Sequence, residues 1–256
     1  NPKSGVFRLI LREENKCYVD SDWLTSIQFL NNGFTYVSEQ DGYSHIYLYS
    51  PTGVMQRQVT QGNWDVTKFL GVDENTKTFY YESAEESPIR RSIYKIDAKG
   101  VKTKLSTEEG MNKAVFSDNF AYFVNTYSNA NTPAKITVNE TKTKKELRVL
   151  QDNAALKSKL KEYAFAKKEF MKVHTEFNAW IVKPADFDPS KKYPVMMTQY
   201  SGPNSQQVLD QYGFDWEQYL ASNGIIVVCV DGRGTGARGE AFRKCTYLRM
   251  GELESR

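Results

Sequence analysis

Tyr200-Ser-Gly-Pro203 is the stretch whose residue types could do chemistry. Gly and Pro side by side force a turn, and the short apolar run before them, residues 195–197, reads as a strand. A phenol held at a strand end beside a tight turn can aim its O–H into a cleft. A second unit of the same kind follows. Residues 225–230 are an apolar, β-branched run, and Asp231-Gly-Arg-Gly-Thr-Gly236 is the loop that ends it. Such runs read as strands buried on both faces of a parallel sheet. Other chemistry-bearing residues are sparse. Cys17, Cys229 and Cys245 are too few and too unevenly spaced for a disulfide framework or a metal site. Cys229 falls in a predicted buried strand and is expected to be a small core residue. No cofactor and no metal is expected.

Composition bounds the rest. The chain has 256 residues, 40% hydrophobic and 25% charged, enough for a sizeable core in one or two domains. Its 34 basic and 31 acidic side chains leave a formal net charge of +3, which gives no reason to expect nucleic acid. The densest basic stretch, residues 157–172, is interleaved with Leu160, Tyr163, Phe165 and Phe170 and reads as the solvated face of a packed connector. The longest apolar run is six residues, far short of the ~18 needed to span a bilayer. No signal peptide and no initiator Met opens the chain, so a longer precursor is expected.

The elements that must position Tyr200 begin with a repeat. His45-Ile-Tyr-Leu-Tyr49, Ser92-Ile-Tyr-Lys-Ile96 and the looser Lys135-Ile-Thr-Val138 alternate at period two, the mark of a half-buried strand. Their anchors, Ile46, Ile93 and Ile136, step by 47 and 43 residues. Each copy is preceded by an aromatic-rich strand (34–37, 78–81, 120–124) and followed by a polar turn and another strand (56–60, 102–106, 147–150). Four short strands at such a period are the signature of β-propeller blades. A meandering β-sandwich is the rival, but it gives no reason for a fixed period. Three blades do not close a ring, so the chain is expected to begin part-way round one.

Near residue 151 the pattern changes. Residues 151–160 read as a short helix capped by Asp152 or Asn153, with Leu156 and Leu160 on one face. Residues 169–174 and 178–182 alternate like an antiparallel pair. Between the two buried runs, residues 215–224 read as a helix. Asp215 is its cap, Trp216, Tyr219 and Leu220 its apolar stripe, and Gly224 its stop. Strand, helix, strand is a βαβ unit of an α/β domain. Residues 242–256 are expected to be a further helical region.

Together these residues resemble the dipeptidyl peptidase IV branch of the prolyl oligopeptidase family. The resemblance is carried by Asp41-Gly-Tyr-Ser-His-Ile46, Gly62-Asn-Trp-Asp-Val66, Arg148-Val-Leu-Gln-Asp-Asn-Ala-Ala-Leu156, Lys191-Lys-Tyr-Pro194, Tyr200-Ser-Gly-Pro-Asn-Ser-Gln206 and Asp231-Gly-Arg-Gly234, in the family's order. It implies an incomplete β-propeller, its last three or so blades, over residues 1–152. The N-terminal half of an α/β-hydrolase domain would follow over residues 153–256, truncated before the nucleophile. It also implies a serine peptidase that removes dipeptides from the N-terminus of peptides, commonly after Pro or Ala. Periplasmic or extracellular placement, and a homodimer in the intact enzyme, are implied in the same way.

The same resemblance marks what the chain lacks. An α/β-hydrolase sets its nucleophile in a Gly-x-Ser-x-Gly elbow, with acid and histidine later. The sequence holds no such elbow, and His45 and His174 both precede the hydrolase strands, so neither is the base. His45 is expected to be structural. The family's acidic pair for the substrate amino terminus is also absent, so the chain is expected to be an internal fragment, inactive alone. The resemblance assigns one catalytic role, to Tyr200, whose hydroxyl would donate to the oxyanion hole. It gives Asp231 a turn-stabilising role and Arg233 a bridging one. Trp23 falls near a cavity-lining loop of the family but does not match its residues. Substrate-binding residues are unknown. Peptide substrates and the remainder of the parent chain are the expected partners. The alternatives are a non-catalytic propeller protein that binds a peptide or partner, and an acylaminoacyl or prolyl endopeptidase relative.

Overall fold

The computed structural model describes residues 3–254, whose strands form four four-stranded sheets. The first three are antiparallel meanders taken in chain order. Helix α1 (Ser21–Leu24) leads into β1 (Gln28–Leu30), β2 (Gly33–Ser38), β3 (His45–Tyr49) and β4 (Met55–Gln58). The second meander is β5 (Val66–Asp73), β6 (Thr78–Ser83), β7 (Ser92–Ile96) and β8 (Lys102–Lys104). The third is β9 (Met111–Phe116), β10 (Tyr122–Asn129), β11 (Thr132–Glu140) and β12 (Glu146–Gln151). The repeat anchors Ile46, Ile93 and Ile136 stand on the third strand of each, in register with Val37, Glu82 and Thr126. In the third copy, Phe120 lies outside its expected strand, in a turn with φ 54°, where its ring stacks on Tyr80 at 4.5 Å.

Strands β3 and β7, whose alternation predicts half-burial, are each buried at four of five residues, while the looser third copy, β11, mixes buried and half-buried positions. All six residues of β2 and all six of β6 are buried, because the meanders stack face to face. Val37, Ile46 and Val59 pack against Val66, Phe79 and Tyr81 in one shared core. Tyr80, Ile93 and Leu105 pack against Ala114 and Phe123 in the next. The other face of the first meander places Phe34, Tyr36, Tyr47 and Tyr49 under Leu11. The positions between the isoleucines are thus a second apolar face made of aromatics. Full burial of a residue such as Ile46 stabilises the stack by about 1.5–3 kcal/mol.

The fourth sheet is mixed, with β13 (Lys168–Val173), β14 (Phe177–Val182), β15 (Val195–Thr198) and β16 (Ile226–Asp231) in the order β13-β14-β16-β15. The predicted antiparallel pair is present, β13 on β14. The βαβ unit is present too: β15 and β16 pair in parallel, and the helix between them, which follows α2 (Ala154–Leu160), is α3 (Trp216–Ser222). Asp215 accepts from the Trp216 N–H at 2.8 Å, and the chain leaves the helix through Gly224 at φ 78°.

Which faces are covered differs from the sequence reading. Helix α3 buries Glu217 and Ala221 and leaves Trp216 and Tyr219 exposed. On the covered side, Ala221 and Leu220 pack into the core, and Lys168, over the Trp180 ring at 4.6 Å, meets the Glu217 carboxylate at 3.4 Å. Strand β15 is not buried on both faces. It is an edge strand, with Val195 62% and Met197 57% exposed. Helix α2 has no buried residue. Its first turn is capped by Asp152, which accepts from the Ala154 N–H at 2.9 Å, while Asn153 stands at φ 54°. Past β16, the expected helix over 242–256 is the five-residue α4 (Glu240–Lys244) followed by turns, and its last two residues lie outside the described ones.

An unpaired strand edge flanked by apolar side chains is a template for pairing with another chain. The isolated 256-residue chain is therefore expected to associate in solution. Light scattering at rising concentration checks this, and a monodisperse monomer with a sharp melt contradicts it.

Candidate functional site

Tyr200 stands two residues past the end of β15, on the side where parallel sheets place their ligand crevices. It is 71% exposed. The next residue, Ser201, is buried at φ 50°, a left-handed conformation that turns the chain sharply away. Gly202 has no side chain for a physical reason: a Cβ there would lie 2.6 Å from Tyr200 Cε1 and 3.0 Å from Cζ. The phenol ring thus rests against bare backbone. Ser205 closes the turn, its Oγ donating to the Gly202 carbonyl at 2.6 Å and its N–H to the same oxygen at 3.0 Å.

The second glycine-rich motif holds the first in place. Both oxygens of the Asp231 carboxylate accept backbone N–H groups, from Gln207 at 2.9 Å and Val208 at 3.0 Å. Burial pushes the Asp231 carboxyl up, and those two N–H bonds pull it part of the way back. Asn204 donates its N–H to the Gly234 carbonyl at 2.9 Å, and Gly236 donates to Ser205 at 3.0 Å. Gly234 takes φ 94°, and a Cβ on it would meet the Thr246 hydroxyl at 3.1 Å. Arg233 reaches Glu176 at 3.3 Å and lies over the Phe177 ring, bridging the loop to the β13–β14 hairpin.

The meanders meet this loop across a polar seam. A cavity of about 170 Å³ lies there, lined among others by Trp23, Asp65, Arg91, Asn204 and Gln206. Arg91 donates to Gln206 Oε1 and to the Pro88 carbonyl, and Gln206 donates to that same carbonyl at 2.9 Å. Burial pulls the Arg91 guanidinium down to about 10, against the opposing charges of Glu82 and Asp65. Farther along, Arg90 binds Asp210 at 2.9 Å, and the second Asp210 oxygen accepts from Ala130 N–H at 2.9 Å. At the other end, Arg243 of α4 is buried between Glu39 and Asp20, and Lys244 reaches Glu39 at 3.1 Å. Asp65 accepts from Ser44 N–H and from Gly239 N–H, both at 2.8 Å. Sequence reasoning named Trp23 near a cavity and held Ser44, Asp65, Asn204 and Gln206 within its resemblance stretches without giving them a role, and it missed Arg90, Arg91, Asp210, Arg243, Lys244, Glu39 and Asp20. The adjacent pair Arg90-Arg91 at a strand entrance was the only local signal.

The remaining candidates fall outside the site. His45 is fully buried; its Nδ1 accepts from Thr60 Oγ1 at 3.0 Å when Nε2 donates to the Gly62 carbonyl at 2.9 Å. The Thr60 hydroxyl also accepts the Ile46 N–H at 3.0 Å, so the ring clamps β3 to its neighbouring turn. His174 is exposed in the β13–β14 turn at φ 49°. Cys229 is buried, and desolvation pushes its thiol up to about 12, which keeps it inert at neutral pH. Among the described residues, no three His, Cys, Asp or Glu side chains converge as a metal site, and no helix is long and apolar enough to cross a membrane.

Comparison with known proteins decides the family. The model for the dipeptidyl peptidase IV (DPP IV) N-terminal region matches residues 1–134, just over half of the chain. The chain belongs to the dipeptidyl peptidase IV family. A second model, the prolyl oligopeptidase family, matches residues 212–256. Similar curated proteins include dipeptidyl peptidase 4 of Trichophyton rubrum, 32% identical over 96% of this chain and 34% of that one. The probable dipeptidyl peptidase 4 of Emericella nidulans is 32% identical over 86% of this chain and 30% of its own length. Among solved structures, Porphyromonas gingivalis dipeptidyl peptidase 4 superposes with a TM-score of 0.96 at 61% identity, covering 99% of this chain and 37% of that one. A putative dipeptidyl aminopeptidase IV from Bacteroides ovatus gives a TM-score of 0.77 at 26% identity, over 89% and 36%. The chain spans about a third of the length of the relatives it matches.

Proposed function

We propose that this chain is part of a serine exopeptidase that releases dipeptides from the N-terminus of peptides, preferring Pro or Ala at the second position. Tyr200 is then one of the two oxyanion donors. The reading takes the three meanders as the last blades of a β-propeller and the segment after residue 152 as the beginning of an α/β-hydrolase domain. Export from the cytoplasm and a homodimer of the intact enzyme belong to the same proposal.

One observation carries the catalytic part. A phenol stands exposed at the carboxyl end of a parallel strand, its ring seated on Gly202 and its loop pinned by Asp231. A donor fixed in that way meets developing negative charge without reorganising. When a serine nucleophile adds to the scissile carbonyl, the oxygen gains charge and the Tyr200 hydroxyl donates to it. The second donor, by the family pattern, is the backbone N–H after the nucleophile. The names of the relatives support the substrate class.

The test uses the full-length protein with Gly-Pro-p-nitroanilide and its N-acetylated form. Turnover of the free amine, with the acetylated substrate slower by at least ~10²-fold, is expected where a buried acidic group is left without its partner. Equal rates would mean an endopeptidase, and no turnover of either would overturn the peptidase reading. The 256-residue chain alone, lacking any Gly-x-Ser-x-Gly elbow, is expected to give none.

A further inference from the structure

The basic, aromatic stretch after α2 was expected to be the outer face of a packed connector. It is not packed. Tyr163 is 57% and Phe165 37% exposed, and α2 before them buries nothing. An apolar segment left unpacked would ordinarily be loose, yet three side-chain amides tie this one down. Asn153 Nδ2 donates to the Ala134 carbonyl of β11 at 2.6 Å. Asn131, at the tip of the β10–β11 hairpin, both donates to the Lys168 carbonyl at 3.0 Å and accepts its N–H at 2.9 Å. Gln218 of α3 makes the same two-way bond with Ala166, at 3.1 and 2.9 Å. The backbone is held at both ends while the aromatic rings between are left open.

What they surround is a concave site of about 500 Å³, bounded by that hairpin tip, α2 and the loop before α3. Its size is that of a small-molecule pocket. Phe165 packs on Phe214 at 5.2 Å between ring centroids, and Phe214 on Tyr212 at 6.0 Å, which makes a continuous aromatic wall. The buried Tyr212 hydroxyl has no hydrogen-bond partner among the described residues, leaving a donor without an acceptor in the wall. The lining contains Lys157, Lys161, Lys167 and Lys168 and no acidic side chain. Lys168 is paired with Glu217, but among the described residues no acidic side chain pairs with the other three. Lys157 of α2 and Lys161, the residue that caps its end, stand four positions apart at the rim.

We propose that this pocket binds a small apolar or aromatic carboxylate, the ring or hydrocarbon against Phe165 and Phe214 and the carboxylate toward Lys157 and Lys161. Charge complementarity selects the anion: an unpaired cluster of three ammonium groups over an apolar wall favours a ligand with one charged end. The site is separate from the Tyr200 loop and shares no residue with it.

The test is calorimetry on the full-length protein with naphthylacetate as probe and naphthylethanol as its neutral counterpart. Saturable, single-site binding of the carboxylate, about tenfold tighter than the alcohol and weakening with salt, is expected. The double variant Lys157→Gln/Lys161→Gln, at positions that are half-buried and exposed respectively and bear no core contact, should keep the parent melting temperature and lose about tenfold in affinity. Phe165→Ala should weaken both probes alike, since it removes wall and not charge. Tyr200→Phe should bind the probe as the parent does, which keeps this result independent of the proposed peptidase role. Equal affinity for acid and alcohol, an unchanged double variant, or no saturable binding would each overturn the proposal.

Discussion

Tyr200→Phe in the full-length protein should lower kcat by ~10²–10³, a loss of about 3–4 kcal/mol, and move KM by less than a few-fold. The substitution removes one hydroxyl and keeps the ring, which is exposed and rests on Gly202, so no packing is lost. Its hydroxyl is proposed to bond chiefly to the oxyanion that forms during attack. An interaction made mainly in the transition state lowers the barrier without tightening substrate binding. A merely structural tyrosine predicts the reverse, near-normal kcat with some loss of melting temperature. Measuring kcat, KM and melting temperature together separates the two. A kcat within about threefold of the parent would remove Tyr200 from the oxyanion hole.

Arg243→Met should cost about 3–5 kcal/mol, because it leaves a carboxylate buried without its partner. Arg243 is 2% exposed and bridges Glu39 and Asp20 of the meander side to α4. For a unit of this size, such a loss lowers the first thermal transition of the full-length protein by roughly 10 °C. The double variant Glu39→Gln/Arg243→Met removes both charges and should recover about 1–3 kcal/mol of that loss. A transition within about 2 °C of the parent for the single variant would show that the pair does not hold the seam.

The pH dependence of the same cluster has a defined sign. Burial pushes the Glu39 carboxyl up, but the hydrogen bond and charge of Arg243, with Lys244, bring it below the ordinary carboxylate range. A depressed carboxylate contributes stability above its unfolded value of about 4.3 and loses it as pH falls through the folded value. Glu13 and Asp65 face the cluster and are raised, chiefly by burial. Their contribution therefore has the opposite sign, present at low pH and lost as pH rises. In Arg243→Met, Glu39 loses its main partner and joins them. The stability gap between parent and variant should narrow as pH falls from 7 toward 4, read as the two melting temperatures converging.

The sequence by itself determined what short-range pattern can carry. Period-two alternation around Ile46, Ile93 and Ile136 marked the third strand of each meander, because in a strand the fate of each side chain repeats every two residues. The run ending at Asp231, the turn at Gly202-Pro203 and the helix between them were legible because Gly, Pro and capping Asp constrain their own backbone. Tyr200 stood out by its neighbours alone, and the meaning of those neighbours came from family resemblance. The tertiary structure decided which faces are covered. The alternation that reads as half-buried became burial on both sides of β3 and β7 because the meanders stack, and an aromatic position looks the same in sequence whether or not a second sheet lies over it. Strand β15 and the aromatic stretch after α2 went the other way, apolar by composition and open in the fold. The pairing of Arg243 with Glu39 joins residues 204 positions apart, and no local rule reaches that far. Each of those carboxylates and guanidiniums reads as ordinary surface charge until the chain brings its partner beside it and excludes the water between them.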